Sequence, residues 1–370
     1  MKKLISAVLA GSMAMSLAAC GGSAASSQAP AASSQAPAAS GPASAASAAS
    51  SGGFDALEPV ELVLADSAAK GAAGQLFDEA FAAKVEEITG GQLTIDLHTN
   101  GDLGNDVDIL RQMQSGDIDL VGCQIAPMVS FIPELAVFDL PMVFAKYDGD
   151  TIDKVLNGED SAVRQTLNAA YETADLHLLG FLQNATYRLT TSNTDLQTLA
   201  DFKGLQIRTM ENANHMAFWS AIGAQPTPLA WAEVYFALQS GTITAEENAS
   251  DTVKGANLNE VQKYLANTNH ILYCNQLCIN NDKFQSLDPA YQAALQQAAN
   301  EAMDEMRPQL KSIDETNQAE LEKGGMTVIT YDDAFFDEVL NLDGVKALYA
   351  SIDESIGGLG TQLQEGLANA

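Results

Sequence analysis

Short β-type runs and helical runs alternate tightly from residue 60 onward, and no other feature constrains the fold as much. Val60 to Ala65 reads as a strand. Leu76, Phe77, Ala80, Phe81, Val85 and Ile88 follow at helical spacing until Gly90-Gly91 stops them. Gln92 to His98 then alternates, with Leu93, Ile95 and Leu97 on one face. A second helical run carries Val107, Leu110 and Met113, ends at Gly116, and gives way to the strand Ile118 to Gly122. Strands separated by single helices are joined by crossovers rather than hairpins, so these are read as parallel βαβ units.

The same grammar returns further along. Val163, Leu167, Ala170 and Tyr171 form a helical stripe, and Leu176 to Leu182 forms a strand. Leu205 to Thr209 is another strand, after the turn Asp201-Phe202-Lys203-Gly204. Asp288-Pro289 is a helix start, with an acid at the cap and proline at the first position. Tyr291, Leu295, Ala298, Ala302, Met306, Leu310 and Ile313 then keep one face until Gly324-Gly325. Pro308 inside that run predicts a kink or a break, and the run is long enough to cross two domains. The fold class expected is α/β, in two lobes.

The N-terminal segment obeys different rules. Lys2 and Lys3 precede an apolar run from Leu4 to Ala19 that is short for a hydrocarbon core of ~30 Å. It has the parts of a secretory signal. Its end, Leu17-Ala18-Ala19-Cys20-Gly21-Gly22, resembles the lipobox of bacterial lipoproteins, which implies removal of residues 1–19 and lipidation of Cys20. From Ser23 to Gly53 the chain is Ala, Ser, Pro, Gln and Gly, with Ser26 to Ala32 repeated as Ser33 to Ala39. Such a segment buries no core, so residues 20–54 are expected to be a disordered tether. The expected location is the cell envelope, lipid-anchored to the outer face of the cytoplasmic membrane.

A formal net charge of −30 repels phosphate backbones and excludes nucleic acid as a partner. Any anion site in that field must be built from local cations, and the arginines are Arg111, Arg164, Arg188, Arg208 and Arg307. Cys123, Cys274 and Cys278 accompany Cys20. Cys274 and Cys278 fall on an apparent strand from Ile271 to Ile279, about 13 Å apart, whereas a disulfide needs Cα atoms within ~7 Å. They are read as buried free thiols. No nucleophile elbow, zinc-protease motif, phosphate loop or dinucleotide fingerprint is present. His98, His177, His215 and His270 are scattered and lack metal-ligand spacing. No catalytic, metal or cofactor site is read here, and the chain is expected not to be an enzyme.

The densest grouping runs from Arg188 to Asn248. It contains Tyr187-Arg188-Leu189-Thr190-Thr191, Lys203-Gly204-Leu205-Gln206-Ile207-Arg208, Gln225-Pro226-Thr227-Pro228-Leu229, the stretch Glu233 to Gly241, and Glu246-Glu247-Asn248. Asn100-Gly101-Asp102-Leu103-Gly104, the stretch Pro133 to Pro141, Val261 to Leu265 and Thr268-Asn269-His270 flank it. In order and spacing these segments resemble the solute-binding receptors of tripartite ATP-independent periplasmic (TRAP) transporters, in their dicarboxylate and sialic-acid branch.

That resemblance implies a two-lobed periplasmic-binding-protein fold closing over a small carboxylate ligand. The ligand would be a C4-dicarboxylate, keto acid, sugar acid or sialic acid, passed to separate membrane permease subunits. It implies lobes of residues 55–185 with 274–313 and 186–273 with 314–370, and a long helix spanning both. Arg208 matches the arginine that binds the ligand carboxylate, a role suited to a planar guanidinium that stays charged. Arg188 matches a second arginine, Asn248 a ligand-contacting amide, and Trp231 an aromatic pocket wall. Gln124, at the end of the third strand, is a candidate for selectivity. Glu247 and His270 are expected to hold Arg208 rather than touch ligand. The chain departs from the family pattern at Glu246, where glutamine is usual, and at Ala249, where proline is usual. An acid at Glu246 facing the cleft would repel a second carboxylate and favour a hydroxyl or amine. A chemosensory lipoprotein with the same pocket, or an envelope hydrolase with a carboxylate pair, are the alternative readings.

Overall fold

The structure, a computed structural model, describes residues 53–370. The expected signal, Cys20 and the tether up to residue 52 lie outside the described residues. The strands are β1 (Val60–Ala65), β2 (Leu93–His98), β3 (Leu120–Gln124), β4 (Leu176–Leu182), β5 (Leu189–Ser192), β6 (Gln206–Thr209), β7 (Gln225–Pro228), β8 (Ala245–Asn248), β9 (Tyr264–Ala266), β10 (Asn275–Asn280) and β11 (Thr327–Ile329). The helices are α1 (Ala73–Thr89), α2 (Asp106–Ser115), α3 (Ile125–Met128), α4 (Gly149–Asn157), α5 (Ala162–Thr173), α6 (Ala213–Ala221), α7 (Trp231–Ser240), α8 (Ser250–Gly255), α9 (Asn281–Ser286), α10 (Pro289–Lys323), α11 (Asp333–Asn341), α12 (Asp343–Ser355) and α13 (Leu359–Asn369).

Two sheets organise these elements into two α/β lobes. The first is ordered β2-β1-β3-β10-β4 and the second β11-β9-β5-β8-β6-β7. β1 pairs parallel with both β2 and β3, as the βαβ reading requires. β10 arrives from far along the chain and inserts antiparallel between β3 and β4. Both faces of β3 are covered, so its alternation has no polar side. Leu120 packs with α1 and α10, whereas Val121 and Cys123 face the opposite cluster.

Helix ends follow local chemistry. Gly90, at φ 63°, and Gly116, at φ 81°, close α1 and α2 in the left-handed conformation that glycine adopts cheaply. Asp288 caps α10, its carboxylate accepting from Ala290 N at 2.9 Å. In α10 the stripe Tyr291, Leu295, Ala298, Ala302, Met306 and Leu310 is buried, and Ile313 packs partly against it. Each leucine so buried contributes about 2 kcal/mol. Pro308 does not break the helix, which runs for 35 residues. Met306 and Leu310 are buried on either side of it, so packing carries the helix past the missing backbone bond. The helix meets α1 and β4 of the first lobe, then α8 and β11 of the second.

The C-terminal helices depart from the expected division at residue 314. α12 packs on α6 of the second lobe, but α13 lies against α4 and α5 of the first. Leu359, Leu363 and Leu367 form its buried stripe, in one cluster with Val155, Val163 and Leu167. That stripe predicts a helix, but nothing in its spacing selects the lobe it will cover.

Candidate functional site

The second sheet sets out the site by register. Arg208 of β6 lies opposite Glu246 of β8, and Thr191 of β5 opposite Glu246 on the other side. Glu247 lies opposite Thr190. Side chains alternate along strands, so Arg208, Glu246 and Thr191 share one face while Glu247 and Thr190 share the other. The two acids that adjoin in sequence therefore serve opposite faces of one sheet.

On the Glu247 face a buried ion chain forms. Arg188 Nε meets Glu247 Oε2 at 2.5 Å and its Nη2 meets Oε1 at 3.0 Å, with a further bond from Nη2 to Glu247 O at 2.8 Å. His270 Nε2 lies 3.1 Å from Glu247 Oε2, and its Nδ1 lies 3.0 Å from Thr268 Oγ1. That fits a neutral ring donating to the carboxylate and accepting from the threonine. His215 Nε2 lies 3.0 Å from Asp139 Oδ1, and its Nδ1 is 3.8 Å from Glu247 Oε1. Only Nε2 makes a hydrogen bond, and the two nearby carboxylates favour the imidazolium form of His215. Burial opposes that charge, but Asp139 and Glu247 overcome it and push the pKa up to about 9. Burial also works against the Glu247 charge, yet Arg188, His215 and His270 hold its pKa well below the usual carboxylate range. For His270 burial wins over Glu247, and its pKa falls.

On the opposite face the pairing is incomplete. Arg208 donates from Nε and Nη2 to Leu229 O, at 3.0 and 2.8 Å. Its Nη1 is buried without a partner, and no carboxylate among the described residues forms an ion pair with it. Its residue exposure is only 3%. Burial lowers its pKa, against the pull of Glu246 and Glu247. Trp231, half-buried at the start of α7, sets its ring 5.4 Å from the guanidinium carbon. A cation over an indole is held by the ring's quadrupole and keeps its donors free at the edges.

These contacts correct one expectation. Glu247 and His270 hold Arg188, not Arg208, because the alternation of β8 points Glu247 away from the Arg208 face. Gln124, at the end of β3, accepts from Arg188 Nη1 and so joins the first lobe to the second. Asn248 is buried at the end of β8, its Oδ1 accepting from Ala249 N at 3.1 Å. Glu246 is fully buried; its Oε1 accepts from Thr191 Oγ1 at 3.2 Å and its Oε2 has no partner.

Sequence reasoning missed His215, Asp139 and Asn212. Asn212 caps α6 and also donates to Asp139 Oδ2 at 2.9 Å, which ties the cap to the ion chain. A capping asparagine before a helix was the only legible trace of this cluster, and it carries no hint of the acid it meets. Cys123, Cys274 and Cys278 are buried free thiols. Among the described residues no group of three or more His, Cys, Asp or Glu side chains is placed to hold a metal. No helix among them is long and apolar enough to cross a membrane. A groove of about 440 Å³ beside Pro308 contains none of the site residues named above.

Known proteins resemble this chain in sequence and fold. Residues 66–341 match the family described as bacterial extracellular solute-binding protein, family 7. The 2,3-diketo-L-gulonate-binding periplasmic protein YiaO of Escherichia coli is 32% identical over 66% of this chain and 74% of its own length. The sialic acid-binding periplasmic protein SiaP of Vibrio cholerae is 30% identical over 75% of this chain and 83% of its own. The solved periplasmic ectoine-binding protein of the TRAP transporter of Halomonas elongata superposes with a TM-score of 0.78, at 25% identity, covering 84% of this chain and 100% of that one. The chain belongs to bacterial extracellular solute-binding protein family 7, the receptor family of TRAP transporters.

Proposed function

We propose that this receptor captures a small organic acid by its carboxylate at Arg208 and delivers it to the membrane permease subunits of a TRAP transporter. The observation that carries this reading is the Arg208 guanidinium: buried, braced by Leu229 O and Trp231, and lacking a carboxylate partner. A buried guanidinium without a counterion is costly, and an anionic ligand supplies what the sheet withholds. Arg188 is by contrast fully engaged by Glu247 and Gln124. It shapes the cleft wall, with Asn248 offering an amide beside the same strand end.

The relatives' names point to carboxylate-bearing solutes: a diketogulonate, a sialic acid and ectoine. On this chain the ligand class extends over keto acids, sugar acids, sialic acids and C4-dicarboxylates. The lobes close over the bound acid, and the closed form docks on the permease. Binding rather than turnover is the task. Lipidation of Cys20 anchors the receptor at the outer face of the membrane; labelling with a radioactive fatty acid, lost in Cys20→Ser, tests that anchor.

A thermal-shift screen of the purified protein against succinate, pyruvate, D-galactonate, sialic acid and ectoine tests the receptor reading. A ligand at ~100 times its Kd adds about 2.7 kcal/mol of stability. Stabilisation by at least one acid, without product formation, is the expected result. No shift with any of them, or turnover of one, contradicts it.

A further inference from the structure

Arg208 and Glu246 are register partners on one sheet face, both buried, and yet they form no ion pair. Each keeps an unpartnered atom, Nη1 on the arginine and Oε2 on the acid. The ion chain on the other face is internally balanced. Arg188 and the His215 imidazolium supply two positive charges, and Glu247 and Asp139 supply two negative ones. Arg208 is therefore one positive charge over, with room beside it for one negative charge.

Two carboxylates compete for that place: the ligand's and that of Glu246. We propose that Glu246 is a protonatable counterion to Arg208, so that the site holds one carboxylate at a time and takes up a proton when an acid is captured. This rests on the reading of Arg208 as the carboxylate-binding residue. Before capture, ionised Glu246, the register neighbour of Arg208, offsets part of the guanidinium charge without forming an ion pair with it. When an acid reaches Arg208, its carboxylate takes over that compensation, and Glu246 is left as a buried charge with no counterion. A proton from solvent then settles on Oε2, the oxygen that accepts no hydrogen bond, and the carboxylate becomes a neutral acid.

The groups acting on Glu246 are consistent with this exchange. Burial raises its pKa most, Glu247 adds to the rise, and Arg208, then Arg188 and the Thr191 hydroxyl, pull it down, leaving it at about 7. From the first lobe, half-buried Asp106 of α2 feels both arginines but is engaged by the Ser67 hydroxyl. Glu246 is thus a positioning residue acting through Arg208. It restricts the site to ligands with one carboxylate at this end, so a dicarboxylate gains nothing there from its second charge.

Calorimetric titration with D-galactonate and sialic acid, each in two buffers of different ionisation enthalpy, counts the protons. Uptake of close to ~1 proton per acid bound is expected at about pH 8, falling toward zero at about pH 5. Affinity should fall about tenfold per pH unit above about pH 7. Glu246→Gln mimics the protonated acid and should bind at least as tightly, with no proton uptake and no pH slope. Binding by the unaltered protein without proton uptake at about pH 8 overturns the proposal and leaves the receptor reading intact. So does persistent uptake in Glu246→Gln, or loss of binding by that variant while it remains folded. Failure of both acids, and of every other acid in the thermal-shift panel, to bind the unaltered protein overturns the receptor reading and this proposal with it.

Discussion

The Arg188 guanidinium lies against the Glu247 carboxylate as two forks, Nε to Oε2 at 2.5 Å and Nη2 to Oε1 at 3.0 Å, with both side chains almost wholly removed from solvent. Paired in this way, each charge offsets part of the desolvation cost of the other. Glu247 also faces both His215 and His270, so one carboxylate organises three cationic or donating groups from three separate segments.

Glu247→Gln should therefore destabilise the fold by about 3–5 kcal/mol, because it leaves Arg188 buried without its partner and weakens the hold on His215. Urea unfolding measures this. A loss below about 1 kcal/mol would mean that the ion chain does not hold the second lobe together.

Glu246 makes the opposite prediction. Its pKa is raised from 4.5 to about 7, so the folded state binds this proton more tightly than the unfolded chain does. Its contribution to stability falls as pH climbs through that window, by on the order of 3 kcal/mol in full. Glu246→Gln removes the slope. The variant should melt like the parent near pH 4.5 and at a higher temperature than the parent near pH 8. Equal melting temperatures at both pH values would contradict the burial of an ionised Glu246.

His215 shifts the same way for a different reason. Its pKa rises from 6.5 to about 9 because Asp139 and Glu247 overcome burial. Stability from this imidazolium is complete below pH 6.5 and is lost as pH rises through about 9. His215→Gln should cost more stability near pH 6 than near pH 10, which thermal melts across that range would show. A cost independent of pH would place a neutral ring between the two acids.

One backbone cap links the lobes directly. The cap residue of α1 is Ala72, which offers no capping side chain, and Ala73 N donates instead to Asp251 Oδ2 of α8 at 2.8 Å. A helix of the first lobe is thus capped by an acid from the second, so this bond joins the two lobes. Asp251→Ala should weaken ligand affinity about fivefold, the equivalent of one lost cap of ~1 kcal/mol. Unchanged affinity would remove this contact from the closing transition.

Much of the frame was legible because it depends on local pattern. The α10 stripe, its Asp288 cap and the glycine stops of α1 and α2 can be read from a few neighbouring residues each. The long helix was expected too, but its passing Pro308 without a break depends on what packs against Met306 and Leu310. β10 entering between β3 and β4, and α13 crossing to the first lobe, are long-range choices that periodicity leaves open. At the site, Arg208 and Arg188 stood out because cations are scarce in so acidic a chain. Their partners did not. Which arginine Glu247 serves is decided by the alternation of one four-residue strand, and the adjacent Glu246 answers to the other face. Asp139 and His215, 76 residues apart, meet only through the docking of the lobes.

The most direct test of the central claim is calorimetric titration of the parent protein and of Arg208→Ala with whichever acid of the thermal-shift panel binds. The account predicts stoichiometric binding to the parent and a loss of about 2–5 kcal/mol of affinity in the variant, with the fold intact by circular dichroism. A folded Arg208→Ala that binds the acid as tightly as the parent would contradict it.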